Sequence, residues 1–477
     1  MIEVHPFAGY PVAVMGLGKS GLATARALVQ SGAEVAAWDD SAERCDRARA
    51  AGVPIVDLAR CDWSAHTTLV LSPGIPHTHP KPHPMVAQAR AANCEIICDI
   101  ELLARAQRNA SFIGITGTNG KSTTTVLIGH IMALAGRKVA VGGNLGVPAL
   151  ELDALEGDGT YVLEMSSYQL ELVPSLTFDV AVLTNISADH LDRHGGMDGY
   201  IAAKRRIFHR QVKPRSAVVG VDDPVARSIY GELKAADEQN VLAISGEGRV
   251  PGGIYVDAGR LIDDSAGQAI TLIDLGAVAT LPGRHNWQNA AAAYGAVKMA
   301  GVAPPVIAAC INSYPGLAHR QEPVATIEGV RFVNDSKATN ADAAQRALVC
   351  YDTIYWIAGG RAKEGGISTL APYFPRIAHA YLIGEAAAEF ARSLDGKIPY
   401  TMCGDLTNAL AEAAAQARAD RRPGAVVLLS PACASFDQYA NFEARGDAFR
   451  SLVESLPGKR DDDALADATM VGAGRLQ

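Results

Sequence analysis

FIGITGTNGKSTTT, residues 112–125, combines three local signals in fourteen positions. Phe112 to Ile115 is apolar in the manner of a buried strand, Gly117 to Gly120 supplies a tight turn, and a helix begins at about Ser122. A strand, loop and helix joined in this way aim successive backbone N–H groups and a positive helix end at one anion site. Gly117, Thr118, Asn119, Gly120, Lys121, Ser122 and Thr123 are the candidate ATP-binding residues. Lys121 is placed to reach the β- and γ-phosphates, and Ser122 to offer its hydroxyl to Mg²⁺. The strict phosphate-loop spacing fails at one position, because Ile115 stands where its first glycine belongs.

The rest of the chain limits what this loop can serve. A length of 477 residues exceeds one ordinary core and calls for about two to four domains. Hydrophobic residues make up 48% and charged residues 20%, the balance of a soluble globular protein. A net charge of −8 argues against a nucleic-acid-binding surface. No apolar run has the length of a membrane span, and the first residues lack a basic segment before an apolar one. The eight cysteines are scattered without zinc or redox spacing, which predicts reduced, packed thiols and a cytoplasmic location.

Three α/β units in series are predicted. In the first, residues 1–98, the strand Val12–Met15 runs into Gly16-Leu-Gly18-Lys-Ser-Gly21 and a helix, and a second strand ends at Asp39-Asp40. The second, residues 99–316, contains the phosphate loop and a β-rich stretch from about Asn240 to Leu281. The third, residues 317–457, again alternates strands with Ala-rich helices, and residues 458–477 read as a polar tail. The expected fold class is therefore α/β: a Rossmann-like N-terminal domain, a central P-loop ATPase-type domain with a mostly parallel sheet and a β-rich addition, and a Rossmann-like C-terminal domain.

Polar clusters follow several predicted strands. The G-x-G-x-x-G loop with Asp39 beyond it suits a dinucleotide or any other nucleotide diphosphate, so a nicotinamide oxidoreductase stays open on that loop alone. A second phosphate loop favours two nucleotides, one as fuel and one within a substrate. Glu164, at the end of an apolar strand, is a candidate Mg²⁺ ligand or a helix cap. His190, between Asp189 and Asp192, is as readily structural as functional. Lys204 looks by its surroundings like an ordinary helix-surface lysine. His319-Arg320 and the Asn334–Asn340 segment suit anion recognition. Cys433 lacks a nearby histidine and reads as a packed thiol.

A set of motifs goes further: GNLG at 143–146, EMSSYQLE at 164–171, NISADHLDRH at 185–194, LPGRHNWQN at 281–289, AHRQE at 318–322, NDSKATN at 334–340, SPACASFDQ at 430–438 and NFEARG at 441–446. Together with TGTNGKS, and in this order, they resemble the Mur ligase family of peptidoglycan precursor synthesis. The resemblance implies an ATP-dependent amide ligase that joins D-glutamate to UDP-N-acetylmuramoyl-L-alanine through an acyl phosphate. It implies that Gly18, Lys19, Ser20, Asp39, Asp40, Ser72, Gly74, Asn144 and His190 bind the UDP substrate. Lys19-Ser20 departs from the side-chain pair usual in that loop. Asn286, Asn289, Arg320 and Asp335 join the phosphate loop around ATP, and Lys337, Thr339, Lys363, Ser435 and Phe442 bind D-glutamate. Two Mg²⁺ sites are implied on Ser122, Glu164, His190 and a Lys204 carboxylated by CO₂, with Lys121, His190, Lys204 and Arg320 catalytic. The partners implied are small-molecule substrates, with no nucleic acid and no membrane, and a monomeric protein.

Overall fold

The structure, a computed structural model, describes residues 1–155, 157–362 and 365–461. Lys363 and residues 462–477 of the expected tail lie outside the described residues. The chain folds as two compact units, one of Met1–Ile273 with Trp287–Asn312 and the other of Asp274–Asn286 with the chain from Ser313 onward. Within the described residues the strands form three sheets.

In the first unit, four parallel strands lie in the order Glu34–Trp38, Pro11–Met15, Thr68–Leu71, Glu95–Ile97. Their continuous apolar runs reflect burial on both faces, as a parallel sheet requires. The helix Lys19–Gln30 follows the central strand, with Gly18 as its cap residue. A Cβ on Gly21 would overlap the Gly16 carbonyl, so glycine is what lets helix and strand approach.

The larger sheet of this unit has nine strands. Ser111–Thr116 lies between Val180–Leu183 and Thr160–Glu164, with Val139–Gly143 beyond the latter, all parallel. Register pairs Ile115 with Glu164 and Gly143 with Glu164, so three chain ends emerge side by side at one edge. That crevice, outside the carboxyl ends of parallel strands, is where α/β sheets bind ligands. The β-rich stretch extends this same sheet. Asn240–Ser245 and Ile254–Asp257 continue the same sheet in parallel, and Arg260–Asp263 returns antiparallel. Ala258 and Gly259, with φ of 47° and 80°, make the two-residue turn that this hairpin needs.

The second unit holds a six-stranded sheet ordered Glu322–Ile327, Val330–Asn334, Ala425–Leu429, Thr353–Gly359, Ile377–Ile383, Tyr400–Gly404. The first pair is antiparallel and the rest parallel. Asn334 pairs with Leu429, which brings the segments starting at Asp335 and Ser430 together. Arg460 bridges Ile327, and Asp461 N–H donates to the Thr326 carbonyl, so the described start of the expected tail runs along this sheet's edge.

Candidate active site

The phosphate loop has the geometry its sequence suggests. Gly117 and Gly120 have φ of 148° and 82°, and the helix Lys121–Leu134 starts directly after them. A Cβ on Gly120 would overlap Asn289 Oδ1, and one on Gly117 would overlap Thr184 Oγ1. The loop is pinned from the next strand end: Thr118 N donates to the Asn185 carbonyl, Asn119 N to Asn185 Oδ1 at 2.9 Å, and Thr184 Oγ1 to the Asn119 carbonyl at 2.7 Å. Lys121 Nζ curls over the loop, donating to the carbonyls of Gly117 and Thr118 at 2.9 and 2.8 Å. Thr123 is in the first turn of that helix.

Glu164 is buried one strand away. Its Oε2 accepts from Ser122 Oγ at 2.6 Å and its Oε1 from Asn144 Nδ2 at 2.9 Å. A hydroxyl and a carboxylate in contact beside a phosphate loop are the hard oxygen donors that Mg²⁺ takes in small number, the remaining positions being filled by water and phosphate. No group of three or more His, Cys, Asp and Glu side chains is gathered as a metal cage among the described residues.

Lys204 departs from its sequence reading. It is 2% exposed, because the helix Met197–Arg205 turns Tyr200, Ala203 and Lys204 inward. Its Nζ donates to the Gly117 carbonyl at 2.7 Å and lies 4.7 Å over the Tyr200 ring. Burial and the nearby Lys121 ammonium hold its pKa well below the ordinary lysine value. CO₂ adds to an unprotonated amine, the form that this burial favours, and the carbamate so formed would offer oxygen in place of a cation. His190, with φ of 49°, keeps its side chain 54% exposed and its ring 5.4 Å from that of Tyr168.

At the smaller sheet, the Asp39 carboxylate is occupied by backbone. It accepts from Leu17 N at 2.7 Å and Ser41 N at 2.8 Å, with Arg44 at 3.4 Å. Burial alone would raise its pKa, but these donors outweigh it and hold it below the usual carboxylate value. The exposed neighbour Asp40 pairs with His83 at 3.0 Å. Ser72 Oγ donates to the Gly16 carbonyl at 2.9 Å, and Ser20 and Ser72 line one small cavity with Asp99. Lys19 Nζ reaches the Gly146 carbonyl at 2.7 Å, and Gly74 accepts from Arg193 at 3.0 Å. The structure thus brings Gly18, Lys19, Ser20, Ser72 and Gly74 to the same sheet end.

In the second unit, Asp335 is buried and accepts from Ser430 Oγ at 2.8 Å and Gln321 N at 3.2 Å. Burial pushes its pKa up to about 7. Arg320 lies between His319 and Gln321, which have φ of 62° and 44°. Lys337 Nζ lies 3.8 Å from the Phe442 ring centroid, Thr339 N donates to the Lys337 carbonyl, and Ser435 is buried nearby in sequence to Cys433. Burial pushes the Cys433 thiol up to about 12, in keeping with a packed thiol. On the helix Arg284–Met299, Asn286 Nδ2 donates to the Pro282 carbonyl, while Asn289 Oδ1 accepts from Thr124 Oγ1 at 3.4 Å.

Comparison with known proteins covers both sheets of the first unit and most of the second. The profile for the Mur ligase MurD-like N-terminal domain matches residues 10–98, the Mur ligase middle domain 115–297, and the Mur ligase glutamate ligase domain 319–433. The chain is 56% identical to the UDP-N-acetylmuramoylalanine–D-glutamate ligase of Rhodospirillum rubrum, across 96% of this chain and 98% of that one. It is 53% identical to the like-named ligase of Paramagnetospirillum magneticum, across 96% and 99%. The chain belongs to the Mur ligase family. In fold it is similar to the UDP-N-acetylmuramate-alanine ligase MurC of Thermotoga maritima, with a TM-score of 0.58 at 16% identity over 94% of this chain and 99% of that one.

Two buried residues beside these loops escaped sequence reasoning. Arg445, 1% exposed, donates from Nε to Ser336 Oγ at 3.0 Å and from Nη2 to the carbonyls of Ser336 and Cys433 at 2.8 and 3.1 Å. It fastens the segment after Asn334 to the segment after Leu429, and burial lowers its pKa to about 10. Tyr200 OH meets Thr118 Oγ1 at 3.1 Å. The signal for Arg445 was its place in NFEARG; Tyr200 had none beyond its helix position four residues before Lys204. No helix among the described residues is long and apolar enough to cross a membrane.

Proposed function

We propose that this chain joins D-glutamate to UDP-N-acetylmuramoyl-L-alanine at the expense of ATP, in cytoplasmic peptidoglycan precursor synthesis. The observation that carries this reading is the 56% identity, over nearly the whole of both chains, to a UDP-N-acetylmuramoylalanine–D-glutamate ligase. In this reading residues 1–98 serve the UDP substrate, 99–316 ATP and 317–457 the amino acid. A monomer is the working state.

A carboxylate is a poor electrophile. In the first step the L-alanyl carboxylate oxygen attacks the γ-phosphorus of ATP, ADP leaves, and an acyl phosphate forms. Lys121 supports the β- and γ-phosphates, and Arg320 balances charge on the transferred group. Ser122, Glu164, His190 and carboxylated Lys204 are the residues that would hold two Mg²⁺ ions, which neutralise phosphate charge when bound. In the second step the amine of D-glutamate attacks the acyl carbon, loses a proton to a base, and expels phosphate. His190 and neighbouring carboxylates are candidates for that base. Lys337, Thr339, Lys363, Ser435 and Phe442 hold D-glutamate, and Asn286, Asn289 and Asp335 hold the nucleoside. Gly18, Lys19, Ser20, Asp39, Asp40, Ser72 and Gly74 surround the uridine and its diphosphate, and Asn144 and His190 meet the substrate farther along. Asp39 also shapes the loop through Leu17 N and Ser41 N.

Phosphate release by the purified protein, with each substrate omitted in turn and the product weighed by mass spectrometry, tests the reading. Release only when ATP, UDP-N-acetylmuramoyl-L-alanine and D-glutamate are all present supports it. Preference for a diamino acid over D-glutamate would refute it.

A further inference from the structure

Between the two sheets of the first unit lies a chain of polar contacts that the proposed chemistry does not use. His77, buried in the loop after the strand Thr68–Leu71, places Nε2 2.9 Å from Glu171 Oε2. Arg90 Nη2 approaches the other ring nitrogen, Nδ1, at 3.4 Å. A guanidinium can only donate, so Nδ1 accepts in that contact and Nε2 donates to Glu171. Burial alone would raise the Glu171 pKa, but His77 and His194 outweigh it and hold the group below its usual value.

The other Glu171 oxygen faces a second histidine. His194 Nδ1 lies 3.4 Å from Oε1, while its Nε2 is 2.9 Å from Ser167 Oγ. His194 closes the short helix Leu191–His194, which begins directly after His190. Its ring stacks on Tyr168 at 5.4 Å and 16°, and Tyr168 is also 5.4 Å from the His190 ring. Arg193 lies 4.5 Å over Tyr168 and donates to the Gly74 carbonyl at 3.0 Å. Glu171 therefore joins the loop of Ser72, Gly74 and His77 to the segment carrying His190.

Packing alone does not call for this arrangement. Apolar side chains of the same volume would hold the two loops together without the desolvation cost of a carboxylate. The His194 Nδ1 contact is also incomplete: the atom is buried, yet makes no hydrogen bond at its 3.4 Å distance from the carboxylate. A buried polar atom left in that state gains when a small shift closes the contact. We infer that Glu171 is a positioning residue: gripped by His77, it couples seating of the UDP substrate in the Ser72–His77 loop to the placement of the His190 segment. The inference rests on the reaction proposed above.

Steady-state kinetics of Glu171→Gln test it. The amide keeps the shape but cannot accept from both rings, so KM for UDP-N-acetylmuramoyl-L-alanine should rise and kcat fall, each by about tenfold. KM for ATP should stay within about twofold and the melting temperature within a few degrees, since one charged hydrogen bond is at stake. His77→Gln, which restores an N–H donor, should behave as wild type. His77→Leu should reproduce the Glu171→Gln defect, and the double variant Glu171→Gln, His77→Leu should be no worse than either alone. Wild-type KM and kcat in Glu171→Gln would overturn the inference. So would equal defects in His77→Gln and His77→Leu, an outcome that decides the matter even where Glu171→Gln does not fold. Absence of turnover in the wild type would overturn the reaction itself and this inference with it.

Discussion

Replacing Asp335 by Asn should make the second unit more stable and the enzyme worse. The Asp335 carboxyl is buried, with Ser430 Oγ and Gln321 N as its donors, and its pKa stands at about 7 against an ordinary 3.8. Protons therefore bind the folded state more tightly than the unfolded one. Asp335 is harmless to stability below the unfolded value and costs progressively more as pH rises to about 7. A shift of about 3 units at 1.36 kcal/mol each makes the cost about 4 kcal/mol at pH 8, and under about 1 kcal/mol at pH 4. Asn has the same shape and stays neutral, so it should recover at pH 8 up to about 4 kcal/mol that it cannot recover at pH 4.

Urea denaturation of the two proteins across pH 4 to 8 measures this directly. The expected result is a stability difference that grows with pH and levels off above about 7. On the proposed contact between Asp335 and the nucleotide ribose, the same variant should show a raised KM for ATP. A pH-independent difference, or an Asn variant less stable at pH 8, would refute the burial argument. It would mean that the Ser430 and Gln321 bonds outweigh desolvation.

Lys204→Ala should lose at least about a hundredfold in kcat, the scale of deleting one preorganised charge-stabilising group. A short carboxylic acid should restore part of the activity, and full activity without additives would remove the carbamate from consideration. Gly120→Ala should weaken ATP binding by about tenfold and destabilise by about 1–2 kcal/mol, since φ is 82° and its Cβ would overlap Asn289 Oδ1. Titration calorimetry with a non-hydrolysable ATP analogue would measure it, and wild-type affinity would show that the loop tolerates a side chain.

The sheets were legible in the sequence because their strands are doubly buried. Val180–Leu183 and Ala425–Leu429 are unbroken apolar runs ending at polar loops, a pattern that needs no tertiary information. The phosphate loop was legible because its glycines and Gly-Lys-Ser act within six residues. Roles that depend on distant partners were not. Asp39 stood at the spacing of a ribose ligand, yet whether its oxygens face a ribose or Leu17 N depends on a loop direction that spacing does not encode. Lys204 looked like a surface lysine because its burial is set by the Gly117 loop, 87 positions away. Glu171 and Arg445 stood inside quoted motifs, but their contacts could not be read there, since their partners lie 94 and 109 positions off.

Those four residues share a property that bears on mechanism. Each is a charge or a potential charge taken largely out of water beside a proposed binding loop, where an apolar residue would pack at lower cost. Lys121 and Lys204 both place their amine nitrogen against the single Gly117 carbonyl, so the two side chains converge on the phosphate loop itself. Asp335 pays for burial with a pKa near 7, and Arg445 for its own with one near 10. Lys204, Asp335 and Arg445 each hold a loop at the carboxyl end of a parallel strand, through the Gly117 carbonyl, Ser430 Oγ and Ser336 Oγ. Buried charge at such a place can serve as electrostatic preorganisation, fixed before substrate arrives. A loop so fixed does not have to reorganise as phosphoryl charge develops, and the stability won back by Asp335→Asn would then be a measure of what this preorganisation costs.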